Sequence, residues 1–238
     1  MSSMSRRRFL AAAAVSVAVP QAPRAGVAPV FLELFTSQGC SSCPPADQLF
    51  GALAGRADVY AVSLHVDYWD YLGWKDTLAS PAFSRRQFDY GKTRGDMQVY
   101  TPQLVANGRR HAVGSNAGAV DALITAARAD QLDVAVNLDV TAKSISVSLP
   151  AHDFDGEATL WLMAVQANVS QEIARGENTG LTVAYHNVVR NMVPATMWTG
   201  QAFNGEWMRD AVMPAGCTSC IAVLQRDKTG PVLGLARV

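Results

Sequence analysis

Gln38-Gly39-Cys40-Ser41-Ser42-Cys43-Pro44 is the stretch on which the reading of this chain turns. A short apolar run of strand length, Val-Phe-Leu-Glu-Leu-Phe at residues 30–35, precedes it. Pro44 and Pro45 then open a predicted helix over 46–54, with Leu49, Phe50 and Leu53 on one face. Two thiols at this spacing at a helix start can close a small, easily reduced disulfide. The positive end of the helix favours a thiolate, the form that attacks. A proline disfavours helical geometry at the residue before it, so the prolines push the helix start toward Cys43 and its dipole toward the second thiol.

Working outward, residues 59–66 read as a second buried strand and Ser80-Pro81 as a helix start, with Phe83, Gln87 and Tyr90 riding the helix. Residues 103–106 form a short strand that ends in the turn signal Asn107-Gly108. Ser115 is the expected cap of a helix carrying Val120, Leu123, Ile124 and Ala127. Strands alternating with helices predict an α/β sheet. From about Gln131 the pattern changes to strand-like runs at 132–141, 144–149, 158–166, 181–189, 221–225 and 232–238, separated by glycine-marked turns. The expectation is an α/β domain followed by a β-rich, sandwich-like C-terminal domain, with the boundary near 130.

The front half resembles the thioredoxin superfamily. The resemblance rests on Cys-x-x-Cys at a helix start and on Thr101-Pro102 directly before the strand Gln103-Leu104-Val105-Ala106, and it covers roughly residues 28–130. More closely, Leu-Phe-Thr-Ser-Gln-Gly-Cys-Ser-Ser-Cys-Pro-Pro-Ala-Asp together with His65-Val66-Asp67-Tyr68-Trp69 resembles a secreted bacterial thioredoxin-like family, domain-of-unknown-function family 1223. That likeness implies a fold and no substrate. It implies Cys40 as the attacking thiol, Cys43 as the resolving one, and a cis peptide before Pro102, with Thr101 and Pro102 flanking a partner's backbone. Glu33 lies seven positions before Cys40, where the family places a buried acid six before its own first cysteine. A carboxylate there is a candidate proton acceptor, and a Glu paired with Lys or Arg at the sheet edge is the alternative. An inert disulfide closing the loop is the bland alternative for the cysteines themselves.

Tyr68 and Trp69 sit in a dense stretch with His65, Asp67, Asp70, Tyr71 and Trp74. This run is suited either to a lip that binds a partner or to a local core under a long loop. Cys217 and Cys220 form a second pair, placed at a turn into a strand. A local disulfide is the first expectation for it, a relay to the front pair the second, and a four-thiolate zinc site the third. The stretch 185–190 places His186 and Arg190 on one strand face.

Export is read from Ser5-Arg6-Arg7-Arg8-Phe9-Leu10 and the weakly apolar run behind it, which together resemble a twin-arginine signal over residues 1–25. Removing that segment leaves a mildly acidic protein in a periplasmic or secreted, oxidising compartment. The chain's 238 residues, 49% hydrophobic and 17% charged, are enough for a real core. Equal numbers of basic and acidic residues, 20 each, argue against phosphate neutralisation and so against a nucleic-acid partner. No run after the first twenty residues is apolar enough for a membrane span. The expected activity is thiol-disulfide exchange with a protein or a small thiol or disulfide, without metal or cofactor. A copper or zinc carrier and a non-catalytic binding module are the rivals.

Overall fold

Val30–Thr36 forms β1, and all seven of its residues are buried. A strand buried on both sides belongs inside a sheet that is covered on both faces. The computed structural model describes residues 29–238, and β1 lies inside such a sheet. The expected export segment, 1–25, falls outside the described residues.

The elements that follow are α1 (Pro44–Ala54), β2 (Val59–His65), a 3-10 turn (Asp70–Leu72), α2 (Pro81–Arg94), β3 (Gln103–Ala106), β4 (Arg110–Val113) and α3 (Ala117–Ala127). Then come β5 (Asn137–Val140), β6 (Ser144–Leu149), β7 (Ala158–Glu172), β8 (Thr182–Trp198), β9 (Phe203–Met208), α4 (Arg209–Val212), β10 (Ser219–Arg226) and β11 (Val232–Arg237). Among the described residues no helix is long and apolar enough to cross a membrane.

Eight strands make one mixed sheet in the order β11-β10-β7-β8-β2-β1-β3-β4, and β5-β6-β9 make a second, three-stranded sheet. This corrects the expected architecture of a small thioredoxin-like α/β domain followed by a separate β-rich sandwich. The structure is mostly β, and both halves of the chain contribute to the large sheet. β7 and β8 run for 15 and 17 residues, longer than the runs the sequence pattern marked. The reason the halves join is that β8 pairs with β2 as well as with β7, running parallel to β2 where Ser63 meets Val188.

That seam is short, and side chains reinforce it. Ser63 Oγ donates to the His186 carbonyl at 3.0 Å, and Asn187 Nδ2 donates to the Ala61 carbonyl at 3.0 Å. Asn187 has φ +47°, in the left-handed region that asparagine tolerates better than most residues.

The alternation along β1 sorts its neighbours. Leu32 and Leu34 face Ala46, Phe50 and Leu53 of α1 and Leu123 and Ile124 of α3. Phe31 and Phe35 face Phe83 and Tyr90 of α2, in a core that also takes in Met163, Val189, Ile221 and Val223. Burying each such side chain is worth roughly 1.5–3 kcal/mol, so the α2 side joins both halves energetically. On the opposite side, Leu160, Leu162, Ala222 and Leu224 pack against Ile145 and Val147 of the smaller sheet.

Two local signals differ from expectation. Asn116, rather than Ser115, caps α3, and its side chain accepts from the Ala119 amide. β9 was not anticipated, because glycine interrupts its alternation in Phe-Asn-Gly-Glu-Trp-Met.

Buried Arg86 of α2 ties the layers together. Its Nε donates to Glu33 Oε1 at 2.6 Å, and its Nη2 donates to the Tyr90 hydroxyl and to Gln225 Oε1, each at 2.9 Å. Tyr90 in turn donates to Glu33 Oε2. Removing one member of a buried pair leaves the other charge uncompensated, at a cost of about 3–5 kcal/mol. Glu33→Gln is therefore expected to lower stability by about that much in urea unfolding, and Glu33→Gln with Arg86→Met to recover most of it. A Glu33→Gln protein as stable as the wild type would contradict this assignment.

Candidate functional site

β1 ends against a tight loop. The Cys40 amide donates to the Ser37 carbonyl and the Cys43 amide to the Cys40 carbonyl, each at 3.2 Å. Helix α1 begins at Pro44 with Cys43 as its N-cap residue. The prolines thus place the positive helix end on Cys43, as their sequence position implied. Cys40 and Cys43 form a disulfide with a Cα–Cα distance of 5.4 Å. Cys40 keeps 3% of its surface exposed and Cys43 keeps none.

Thr101 and Pro102, joined by a cis peptide, lie beside Cys40. The Thr101 hydroxyl donates to Cys40 Sγ at 3.1 Å. Trp69 Nε1 donates to that hydroxyl at 2.8 Å, and Ser42 Oγ donates to the Thr101 carbonyl at 3.3 Å. Trp69 passes close to Gly39, where a Cβ would stand 3.2 Å from the Trp69 Cβ and carbonyl oxygen. Tyr71 stacks on Trp69 and is 77% exposed. Tyr68 turns away, its hydroxyl donating to Gln87 Oε1 at 3.0 Å and its pKa pushed up to about 12 by burial. Of the aromatic residues read as a binding lip, Trp69 holds the site and Tyr71 presents the open face.

The loop is also fixed from behind. Asn178, in the turn between β7 and β8, donates to the carbonyls of Gln38 and Cys40 at 2.8 and 2.9 Å. From sequence this turn read only as a hairpin; the one signal available was a lone Asn among glycines.

Glu33 does not reach the dithiol side. It shares β1 with Leu32 and Leu34 but points to the opposite face, where Arg86 and Tyr90 hold it. Its expected role as the dithiol's proton acceptor is therefore corrected: alternation along the strand sends it to the α2 layer. The acid on the α1 side is Asp47, which sequence reasoning missed because it sits in a helix rather than a strand. Asp47 is 3% exposed and accepts from Thr36 Oγ1 at 2.8 Å. Burial lifts its pKa to about 7, against the lowering effects of His65 and the Thr36 bond. His65 pairs with Asp76 through Nδ1 at 2.8 Å, both side chains being fully buried, and not with Asp67. Burial pushes the Asp76 carboxyl up, but His65 and the amides of Gln38 and Leu78 outweigh it and hold the carboxyl below the usual range.

Cys217 and Cys220 are free thiols rather than the expected local disulfide. They are buried in the core between the two sheets, among Val212, Met213 and Ala222. Burial raises both thiols, Cys220 to about 12, which disfavours the thiolate form. Among the described residues no group of three or more His, Cys, Asp or Glu side chains is placed to hold a metal ion. His186 packs against α1 at Gly51, where a Cβ would stand 2.8 Å from its Nε2, and its Nδ1 meets Asn168 Oδ1 at 2.9 Å.

Comparison with known proteins agrees with this architecture. The chain belongs to the family described as protein of unknown function (DUF1223), whose model matches residues 31–225. The crystal structure of protein AGR_C_4864 from Agrobacterium tumefaciens is similar, with a TM-score of 0.75 and 29% identity over 90% of this chain and 95% of that one. HBP35 of Porphyromonas gingivalis shares the fold at a TM-score of 0.61 and 13% identity, over 89% of this chain and 74% of that one. No curated protein matches the chain.

Two outcomes follow from the geometry. In the reduced protein the Thr101 hydroxyl bond favours a thiolate on Cys40, so Thr101→Val is expected to raise that thiol's pKa by about one unit. Ultraviolet thiolate absorbance against pH checks this, and an unmoved midpoint would contradict it. The Asp47 carboxyl ionises near 3.8 when unfolded and only near 7 when folded. The fold therefore binds an extra proton across that window, and its stability falls as pH rises through it. Relative to wild type, Asp47→Asn is expected to gain roughly 2–4 kcal/mol between pH 4 and pH 8, read by urea unfolding at each pH. A difference that stays flat with pH would contradict the raised carboxyl.

Proposed function

We propose that this chain exchanges disulfides with a protein or a small thiol or disulfide through Cys40 and Cys43. The observation that carries the reading is the bond from Thr101 to Cys40 Sγ at 3.1 Å. It sets Cys40 Sγ against the Thr101-Pro102 segment, some sixty residues on in the chain. A Cys-x-x-Cys at a helix start facing such a segment resembles the working arrangement of the thioredoxin superfamily, and that likeness is part of the proposal.

Two features support the roles of the thiols. Cys40 receives a hydrogen bond suited to a thiolate, and Cys43 is covered and sits at the positive helix end. Exchange then runs by attack of the Cys40 thiolate, a mixed disulfide, and resolution by Cys43. A groove bordered by Pro44, Gln48, Leu181, Thr182 and His186 lies between the start of α1 and β8. The proposal places the protein in an oxidising, exported compartment, in keeping with the sequence of its first twenty-five residues.

A Cys43→Ala variant leaves the mixed disulfide without its resolving thiol. Mixed with an oxidised peptide, it is expected to accumulate a covalent adduct on Cys40, while Cys40→Ser accumulates none and loses insulin reduction. Mass spectrometry reads both. No adduct on the Cys43→Ala protein would leave the pair a purely structural disulfide.

A further inference from the structure

Thr36 and His65 are register partners on the adjacent parallel strands β1 and β2. Partners on neighbouring strands lie about 4.8 Å apart and point to the same face, here the α1 side, which Leu34 shares two residues before Thr36. Asp47 descends from α1 and takes the Thr36 hydroxyl on Oδ1, which sets its carboxyl over this corner. It stands four residues after Cys43, one helical turn along the same face.

Two buried polar atoms in this corner have no hydrogen-bond partner among the described residues: Asp47 Oδ2 and His65 Nε2. His65 turns its other nitrogen to Asp76, whose carboxylate is held by the amides of Gln38 and Leu78, each at 2.8 Å. Nδ1 of His65 is thus committed to Asp76, while Nε2 meets no hydrogen-bond partner among the described residues. A carboxyl oxygen and a ring nitrogen, both shut away from water and unpartnered, mark this corner as a place where a proton can be taken up.

Resting on the exchange reading above, we propose that Asp47 and His65 act together behind the dithiol, with Asp47 accepting the proton of Cys43 and His65, anchored by Asp76, setting by its charge the pH range in which Asp47 takes and releases it. In the reduced protein the Cys40 thiolate attacks a partner disulfide, forms the mixed disulfide and releases one partner thiolate. Cys43 then gives its proton to Asp47, and its sulfur attacks Cys40 Sγ. The bond from Cys40 to the partner breaks, and the partner's second sulfur leaves as a thiolate. Two electrons pass to the partner, and the protein keeps the disulfide. In the reverse direction the proton returns to Cys43.

The surroundings support this. The groups whose charge acts on Asp47 are His65 of β2 and Asp76 of the following loop, while β1 offers it only the neutral Thr36 hydroxyl. From β8, the Tyr185 ring packs edge-on against His65 at 4.6 Å, and its hydroxyl is held protonated by burial and by the carboxylates of Asp47 and Asp76. With burial the strongest influence, Asp47 titrates at about 7, in the range where a base exchanges protons with a thiol near neutral pH.

The test uses the full, reduced chain labelled with carbon-13, following the Asp47 carboxyl and the Cys43 Cβ by NMR across pH. Asp47 is expected to titrate near neutrality and Cys43 in two coupled steps, which collapse to one in Asp47→Asn. His65→Gln removes a positive influence on Asp47 and is expected to move the Asp47 midpoint upward. Resolution of a Cys40 mixed disulfide with thionitrobenzoate is expected to slow at least about ten-fold in Asp47→Asn at pH 7. An Asp47 midpoint in the ordinary range near 4, or a Cys43 titration indifferent to Asp47→Asn, would overturn the proposal. Should Asp47→Asn not fold, the His65→Gln midpoint decides alone: an upward move supports the pair and no move overturns it. The titrations need no partner, so their failure leaves disulfide exchange standing. Failure of exchange itself shows instead as a missing thionitrobenzoate adduct on Cys40.

Discussion

The guanidinium of Arg86 joins β1, α2 and β10. It meets Glu33 and Gln225 from two strands and Tyr90 from its own helix, and it lies 5.3 Å from the ring centre of Trp161 on β7. Taking a guanidinium and a carboxylate out of water is expensive, and close pairing with further hydrogen bonds offsets that cost only when both partners stay in place. The payoff is register. With Arg86 committed to Glu33 and Gln225 together, β1 and β10 come to share one core although some 190 residues of chain separate them. The large sheet, and so the position of everything built on β1, depends on this arrangement.

Because β1 alternates, the same strand serves two purposes on its two faces. The α2 face carries the structural ion pair. The α1 face carries Thr36, and through it Asp47 and the loop bearing the dithiol. The structural charges and the Cys40–Cys43 disulfide are thus kept on opposite sides of one layer. The loop itself is bound on three sides, by α1, by Trp69 and Thr101, and by Asn178 from the β7–β8 turn. That last contact gives the second half of the chain a direct part in shaping the site.

Much of the front half was legible in the sequence. β1, β2, β3, α1 and α2 fall where apolar runs, prolines and Ser80 place them, because these signals are local. The meeting of Cys40 with Thr101 was also implied, through the resemblance. The joining of the halves was not legible. It depends on one parallel contact between β2 and β8, next to an asparagine at positive φ, and no periodicity in either strand names its partner. Glu33 illustrates the same limit: its burial followed from the apolar strand around it, but its face follows only from the register. Asp47 and the His65–Asp76 pair were hidden for a different reason. Their significance comes from strand neighbours and a helical turn that converge in space, and nothing in their local sequence marks them.

The central claim is that Cys40 and Cys43 are a working redox couple and not a permanent brace. Equilibrating the protein with glutathione buffers and quantifying each cysteine's oxidation by mass spectrometry tests it most directly. The account predicts that Cys40 and Cys43 cycle together, with a potential between about −270 and −120 mV, while Cys217 and Cys220 stay reduced throughout. A potential below about −300 mV, or a pair that does not reoxidise, would contradict it.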